Sequence, residues 1–529
     1  TIMADAELSP YADHICREEG VAFMRRLLDE EPRPMPYAHP LVVSRLKVFS
    51  LPVSRTGMVF AGLGCANGCD FCCTSFYFKR RHIKLLPTGR DIFEVMRRYQ
   101  DEKGIDQFTI LDEDFLLNRT RAEEFRRAVL ESGRTFSTFC FASIRALSQY
   151  RLEELVEMGI DGLWIGYEGT RSGYEKQKGR SPEELFPDLR RHGILVLASM
   201  IVGFDYQDEA VVADELRGLL RLRPALSQFL IYGPTPGTPF YERIMREGRL
   251  RPELVADKDL YYRSSTGFAS MVTHPTMSRA EIERLQTWCF EEDFRRLGPS
   301  MFRSVRVWQA GYEGLRDSPG EALRRKGAYL GRQVRRSYPL FLAGRLLAPN
   351  PRIRRWLTAF ERRAHRTLGA PTLAERALAV AALGAAFVTR LTLRFDVFQH
   401  PRLPARRMRW EEPSPPWRLW GAVRDGVAAE LRVRAAPAAA GYSWLGVEGA
   451  LDRSNAAALA ARLRARLEEG RQTLVLNLER LEKADRAALA ELARVLRHYR
   501  ERVRIVVPVE GELAACLGAL ARLFEPLLA

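Results

Sequence analysis

Cysteine is scarce in this sequence, eight among 529 residues, too few for the disulfide framework that staples small secreted domains. A secretory leader is not expected, because residues 1 to 40 contain no apolar h-region. Glycine (38) and proline (29) stay at ordinary levels, which excludes a collagen-like chain, and 10% aromatic content excludes a wholly disordered one. Long hydrophobic runs are missing near the most basic part of the chain. The longest there, Ala377 to Val388, would make a helix of about 18 Å against a hydrocarbon core of about 30 Å, and is not expected to span a bilayer alone. What is present is 46% hydrophobic and 28% charged residues, a globular composition long enough for about three or four domains.

The charge is unevenly placed. Overall, 82 Lys and Arg face 66 Asp and Glu, a net of +16. Residues 321 to 410 hold 20 of the basic side chains and only four acidic ones, Glu321, Glu361, Glu375 and Asp396, so this block carries the whole imbalance and the remainder is neutral. One anionic contact surface is therefore expected, not a generally basic protein.

From Gly57 to Gly233 short β-rich runs (VFAGLG, FTILD, FSTFCFA, GLWIGYE, ILVLASMIVG, LSQFLIYG) alternate with helical patterns. Six buried parallel strands with helices between them follow, a βα barrel or partial barrel whose chemistry belongs in the loops after the strands. Residues 281 to 400 read as helices rich in Arg and aromatics. The Pro-dense stretch from Pro401 to Pro416 reads as a linker. Beyond it, strands and helices from YSWLGVEG onward make a separate small α/β domain.

Half of the cysteines fall within nine residues: Cys65, Cys69, Cys72 and Cys73, in GLGCANGCDFCC directly after the first barrel strand. Such clustering suits a metal site in a reducing cytoplasm. Three thiolates on one tight loop can hold three irons of a cubane cluster and leave the fourth open to a ligand. The competing reading is a zinc site or buried thiols. Zinc would want a fourth Cys or His, and Cys73, adjacent to Cys72, projects differently.

The CxxxCxxC spacing, with Phe71 just before the third cysteine, resembles the signature of the radical S-adenosylmethionine (SAM) enzymes, and the resemblance extends over about Val59 to Leu250. It implies a 4Fe–4S cluster on Cys65, Cys69 and Cys72, with SAM chelated to the open iron and cleaved reductively to a 5′-deoxyadenosyl radical. ILDEDF, with Asp112, Glu113 and Asp114, resembles the acidic loop near the amino end of SAM. Glu168 in LWIGYEG matches the acid that bonds the ribose hydroxyls. In KQKGRSPEEL, Lys178 or Arg180 matches the base that pairs with the methionyl carboxylate. MIVGF resembles the motif whose backbone near Gly203 meets adenine, with Asp205 in place of the usual Pro. Solvated surface charge is the alternative for each of these ionisable residues.

ADHICREEG near the start resembles the tail of a cobalamin-binding domain. The Asp-x-His-x-x-Gly motif of its front is missing, and His14, directly after Asp13, does not fit it. Either the sequence has lost the cobalamin site by truncation or the domain is a vestige; cobalamin is the further cofactor this branch implies. A methylthiotransferase would need a second cysteine trio, which Cys16, Cys140, Cys289 and Cys516 do not form. The last 90 residues resemble a STAS domain (sulfate transporter and anti-sigma-factor antagonist). There Asp485, Arg486 and Ala487 replace the Asp-Ser-Ser or Asp-Ser-Thr of regulatory members, which removes a phosphorylation switch.

The expected organisation is a cobalamin-domain tail (1–40), a partial (βα)6 radical SAM barrel (41–280), a basic helical region (281–400), a linker (401–430) and a STAS-like domain (431–529). The expected activity is methylation or another C–H functionalisation of an apolar or lipid-like substrate, with electrons from a flavodoxin or ferredoxin. Residues 321 to 410 either meet anionic lipid on the inner face of the membrane or pack on the barrel with their Arg stems covering apolar surface. Nucleic acid is not expected, since no recognisable module is present. The rival reading is a scaffold that has lost turnover and acts through its STAS-like domain.

Overall fold

The computed structural model describes residues 14–48, 51–395, 406–411, 417–421, 431–439, 442–469, 472–508, 517 and 520. They group into two compact units that divide between residues 387 and 388.

In the first unit seven strands form one sheet in chain order: β1 (Val42–Val48), β2 (Leu51–Phe60), β3 (Gln107–Leu111), β4 (Ser137–Ala142), β5 (Ile160–Glu168), β6 (Leu195–Val202) and β7 (Leu226–Ile231). All neighbours from β2 to β7 are parallel, and β1 pairs antiparallel with β2. The six parallel strands are the six read from the sequence. β1 escaped that reading because Arg45 and Lys47 interrupt its apolar pattern. The register aligns Val59, Ile110, Cys140, Leu163 and Val196 in one row across β2 to β6, all of them buried. β5 is almost continuously buried, as expected of a parallel strand covered on both faces.

The crossovers are helices α1 (Gly89–Lys103), α2 (Arg119–Ser132), α3 (Leu152–Glu157), α4 (Pro182–Arg191) and α5 (Glu209–Leu222). Their ends follow local chemistry. Thr88 and Asp91 close a capping box on α1, and Gly104 ends it at φ +62°. Parallel pairing puts every strand's C-terminal end on one edge of the sheet, so the loops after β2 to β6 converge there.

Helices α6 (Arg279–Leu297), α7 (Ser300–Leu315), α8 (Glu321–Arg336) and α9 (Pro351–Leu368) complete this unit. The apolar face of α9 is turned inward: Leu357 and Phe360 are buried with Phe302, Val334 and Phe341. Much of the basic block is also internally paired. Lys326 is fully buried on Asp161, Arg363 bonds Glu313, and Arg335 reaches Glu375 through both Nε and Nη2. Packing within this unit thus accounts for both helices, α8 on the strand ends through Lys326 and α9 on the neighbouring helices.

The next helix behaves differently. α10 (Leu373–Arg394), opened by a reciprocal Thr372–Glu375 cap, runs for 22 residues and buries none of them. At about 33 Å it is long and apolar enough to cross a bilayer by length and composition. This corrects the sequence reading, which counted only the uninterrupted run and not the helix that Thr389, Leu391 and Leu393 extend.

In the second unit the strands β8 (Arg406–Glu411), β9 (Trp417–Gly421), β10 (Leu431–Ala439), β11 (Tyr442–Leu451), β12 (Thr473–Ala484) and β13 (Val503–Val506) form one sheet in the order β9-β8-β10-β11-β12-β13. Helices α11 (Arg453–Glu469) and α12 (Arg486–Leu496) bury Leu459, Leu463, Leu489 and Leu492 in its core. β8 and β9 pair antiparallel within residues read as a linker, so that stretch is in part sheet. Asp485 serves as the N-cap of α12, its Oδ1 accepting from the Ala487 N–H at 3.0 Å. Cys516 lies outside the described residues.

Candidate active site

The loop after β2 carries the three cysteines to the C-terminal edge of the sheet. Gly64 sits at φ +81°, and a Cβ there would come within 2.3 Å of the Arg81 carbonyl, so only glycine permits this turn. Cys65 and Cys69 are buried and Cys72 partly so. The loop is tied from several sides. Asn67 donates from N and Nδ2 to Cys65 Sγ (3.4 and 3.3 Å) and from Nδ2 to Asp114 Oδ2 (2.9 Å), while Arg145 holds its Oδ1 at 2.8 Å. Asp70 accepts from the hydroxyls of Tyr174 (2.6 Å) and Tyr232 (3.0 Å). The ring of Phe71 meets both tyrosines edge to face.

All three cysteines line a cavity of about 170 Å³ together with Phe71, Glu113 and Glu168. Lys176, Trp164, Ser199 and Ser143 close it from the ends of β4 to β6 and the loop after β5. Among the described residues, no three Cys, His, Asp or Glu side chains converge closely enough for a single metal ion. A tetrahedral zinc needs its thiolates about 2.3 Å from one point. A cubane cluster takes each thiolate on a different iron, and so suits sulfurs spread around a shared cavity. The donor set fits a 4Fe–4S cluster on Cys65, Cys69 and Cys72. Cys73 is not among the residues lining the cavity and begins the short helix Cys73–Tyr77.

The acids of the β3 loop divide by environment. Asp112 is fully buried, bonded to Arg121 Nη1 (2.8 Å) and His82 Nε2 (3.0 Å). Burial raises its pKa, but His82 and Arg121 more than offset this and hold the carboxyl below its usual range. Asp112 therefore fixes the loop and does not face the cysteine cavity. Asp114 binds Asn67 and the Ser143 N–H. Glu113 is different: its Oε2 is buried without a partner, and burial raises its pKa. An orphaned buried carboxylate oxygen beside the cluster loop is a position for a donor that the protein itself does not supply.

Glu168 ends β5 with φ +56°, strained for a residue with a Cβ. Its carboxylate bonds Lys176 Nζ, which also lies over the Phe71 ring at 5.6 Å. Gly166 leaves room for the pair, since a Cβ there would fall 2.3 Å from Glu168 Oε1. Lys178 and Arg180, the bases read from the sequence, are elsewhere. Lys178 is exposed on Glu175, and Arg180 bonds Asp188. The base that lines the cavity is Lys176. Neighbouring side chains on a 3₁₀ turn point about 120° apart, and the turn Glu175–Gln177 sends only Lys176 inward. The N–H of Gly203, at φ +96°, donates to Gln207 Oε1 at 2.7 Å, and Gly203 does not line the cavity. Asp205, which replaces the usual Pro, is held by Arg249 and Arg243.

The radical SAM superfamily pattern matches residues 59–217. The chain carries a radical SAM domain. A second pattern, described as Mlab, STAS domain, matches residues 432–525, so a STAS-like domain follows the radical SAM domain. Similar curated proteins include an uncharacterised methyltransferase of Pyrococcus horikoshii, 24% identical over 217 residues (40% of this chain and 46% of that protein). The cytidylyl-2-hydroxyethylphosphonate methyltransferase of Streptomyces wedmorensis is 28% identical over 228 residues (38% and 39%). The anaerobic magnesium-protoporphyrin IX monomethyl ester cyclase of a Synechocystis strain is 25% identical over 241 residues (42% and 47%). The match thus spans less than half the length of each. Among solved structures, the radical SAM methyltransferase TsrM of Kitasatospora setae is 16% identical with a TM-score of 0.37, covering 53% of this chain and 61% of that one.

Proposed function

We propose that this chain is a radical SAM enzyme that functionalises an unactivated C–H bond, with methyl transfer as the outcome and an apolar or lipid-like molecule as substrate. The observation that carries the reading is the single cavity into which the three cysteines, the unpartnered Glu113 oxygen and the buried Lys176–Glu168 pair all face. Two of the similar proteins, those of Pyrococcus horikoshii and Streptomyces wedmorensis, are methyltransferases by name, which supports methyl transfer. A 4Fe–4S cluster with SAM, once reduced by a flavodoxin or ferredoxin, supplies a 5′-deoxyadenosyl radical.

The chain's own residues bind and shield. Glu113 Oε2 accepts from the cofactor's ammonium group, Lys176 is the cation for its carboxylate, and Glu168 is the acceptor for ribose hydroxyls. Phe71, Phe141 and Trp164 exclude water from the cavity; the last two stack at 5.1 Å. Cobalamin is proposed as a second cofactor on the strength of the ADHICREEG stretch, in which Glu19 caps the helix Gly20–Leu27 by accepting from the Val21 and Ala22 N–H groups. A reducing cytoplasm is the compartment that suits the cluster.

Reduced protein should convert SAM to 5′-deoxyadenosine. Glu113→Gln and Lys176→Met should each weaken SAM binding about 10- to 100-fold, the loss of one hydrogen bond to a charged group, while the cluster absorbance persists. Lys178→Met should leave binding unchanged. No product under strong reductant would overturn the enzymatic reading and favour a scaffold acting through the STAS-like domain.

Membrane contact is proposed through α10. Its exposed Leu373, Val380 and Leu393 (83, 65 and 68%) are suited to acyl chains and its Arg376, Arg390 and Arg394 to anionic head groups. The protein should sediment with anionic vesicles, and Leu378→Asp with Val380→Asp should release it. Because α9 buries Leu357 and Phe360, charge reversal at Arg352, Arg354 and Arg355 should change only the salt-sensitive part of binding. Vesicle binding unaltered by the α10 substitutions would sink this assignment.

A further inference from the structure

A second site lies at the opposite edge of the sheet. α4 ends at Arg191, and the chain then turns into the N-terminal end of β6, so Arg190 sits at the edge away from the cysteine loop. α7 approaches this turn closely. A Cβ on Gly311 would fall 2.4 Å from the Gly193 Cα, so the two backbones touch through paired glycines. The approach brings Arg306 and Gln309 of α7 beside Arg190, and α9 closes the space with Trp356 and Phe360. The result is a cavity of about 390 Å³.

Its polar groups are incompletely used. Among the described residues Arg306 has no carboxylate partner; its Nε is buried and unpaired, and its guanidinium lies 5.4 Å from the centre of the Trp356 ring. The charges that act on it are Arg190, Arg223 and Arg303, all of its own sign, and with burial they push its pKa down to about 10. Arg190 bonds only the Leu222 and Arg223 carbonyls, and its Nε is likewise buried and unpaired. Gln309 leaves Oε1 buried without a donor. Two acids nearby are already committed: Glu313 to Arg363, Gln309 and Thr367, and Asp293 to Arg303 through both oxygens. By contrast Lys326, a buried cation of the basic block, has its full complement of acceptors. Arg306 and Arg190 do not.

Half-buried like charges without a counter-ion are costly, and bidentate guanidinium groups match phosphate oxygens in geometry. We propose that this cavity binds a phosphate group carried on an apolar or aromatic body, with Arg306 and Arg190 on the phosphate oxygens, Gln309 Oε1 accepting from a donor on the ligand, and Trp356 and Phe360 against its body. The chemistry is that of a phospholipid head group or of a soluble phosphate ester. The site shares no residue with the cysteine cavity and does not depend on the proposed reaction.

The test uses the full chain. Thermal unfolding is followed with sodium phosphate, with phenyl phosphate and with monomeric dihexanoylphosphatidic acid, each against sodium chloride at matched ionic strength, and affinities are read by calorimetry. Wild-type protein should gain stability with the phosphate compounds. Arg306→Met should be as stable as wild type or more so without anion, because it removes an unpaired half-buried charge, and should bind at least tenfold more weakly. Arg306→Lys should retain part of the response. Arg190→Gln is the second variant and should also weaken binding at least tenfold. A response to phenyl phosphate equal to that for the lipid identifies a soluble phosphate ester; a response to the lipid alone identifies a head group. No response of wild type to any probe, or equal binding by Arg306→Met, would overturn the proposal.

Discussion

Anaerobic reconstitution should load about four irons and four sulfides on each chain, and Cys65→Ala, Cys69→Ala or Cys72→Ala should each abolish the cluster absorbance and reduce 5′-deoxyadenosine formation to background. These thiols line one cavity, and each would hold a different iron, so no one of them has a substitute. Cys73→Ala should keep both iron content and turnover, because Cys73 opens a helix and does not line that cavity. Asn67→Ala is an informative companion: it removes the Nδ2 donor to Cys65 Sγ, keeps the backbone N–H donor, and frees Asp114 and Arg145, so it should lower cluster occupancy without removing a ligand. Zinc without iron on the reconstituted protein would refute the assignment.

Lys326→Met should destabilise the first unit by about 3–5 kcal/mol, the cost of removing one partner from a buried ion pair. Lys326 is 1% exposed. Its ammonium donates to the Phe136 and Gly159 carbonyls (2.6 and 2.8 Å) and to Asp161 Oδ2 (2.8 Å), so it pins α8 to the N-terminal ends of β4 and β5. Without it Asp161 keeps only Ser137. Denaturant titration of Lys326→Met, Asp161→Leu and the double variant would measure the coupling. The double variant should recover much of the loss, since two apolar residues leave no uncompensated charge. A single-variant loss under about 1 kcal/mol would show that Lys326 is dispensable to the docking of α8.

How much of this was legible in the sequence follows from the range of each interaction. The six parallel strands were read because short β-rich runs alternate with helical patterns, β5 and β6 nearly continuously buried and β3 and β4 alternating. The cysteine loop was read because Cys65, Cys69 and Cys72 lie seven residues apart at most. The STAS-like domain showed itself by its strand and helix grammar, although β8 and β9 did not, since Arg and Pro break their pattern.

Residue roles at the site were less accessible. Lys176, Lys178 and Arg180 are equally basic in sequence, and only the tertiary structure sends Lys176 to Glu168, Lys178 to the surface and Arg180 to Asp188. Asp112 and Glu113 are adjacent acids, yet Arg121 and His82, brought from a helix and from the loop beyond the cysteines, claim the first and leave the second with an unpaired oxygen. The excess of positive charge in 321–410 was plain from counting, but counting cannot say that Lys326 is an interior prop or that α9 buries the apolar residues that a lipid surface would need.

The sequence by itself therefore determined the six parallel strands, their order and the place of the cysteine loop, because these depend on local spacing and periodicity. Only the tertiary structure decided which charges meet. A half-buried guanidinium such as Arg306 is defined by partners contributed, or withheld, by helices more than a hundred residues apart, and the paired Gly193 and Gly311 that bring those helices together carry no charge pattern for the sequence to display.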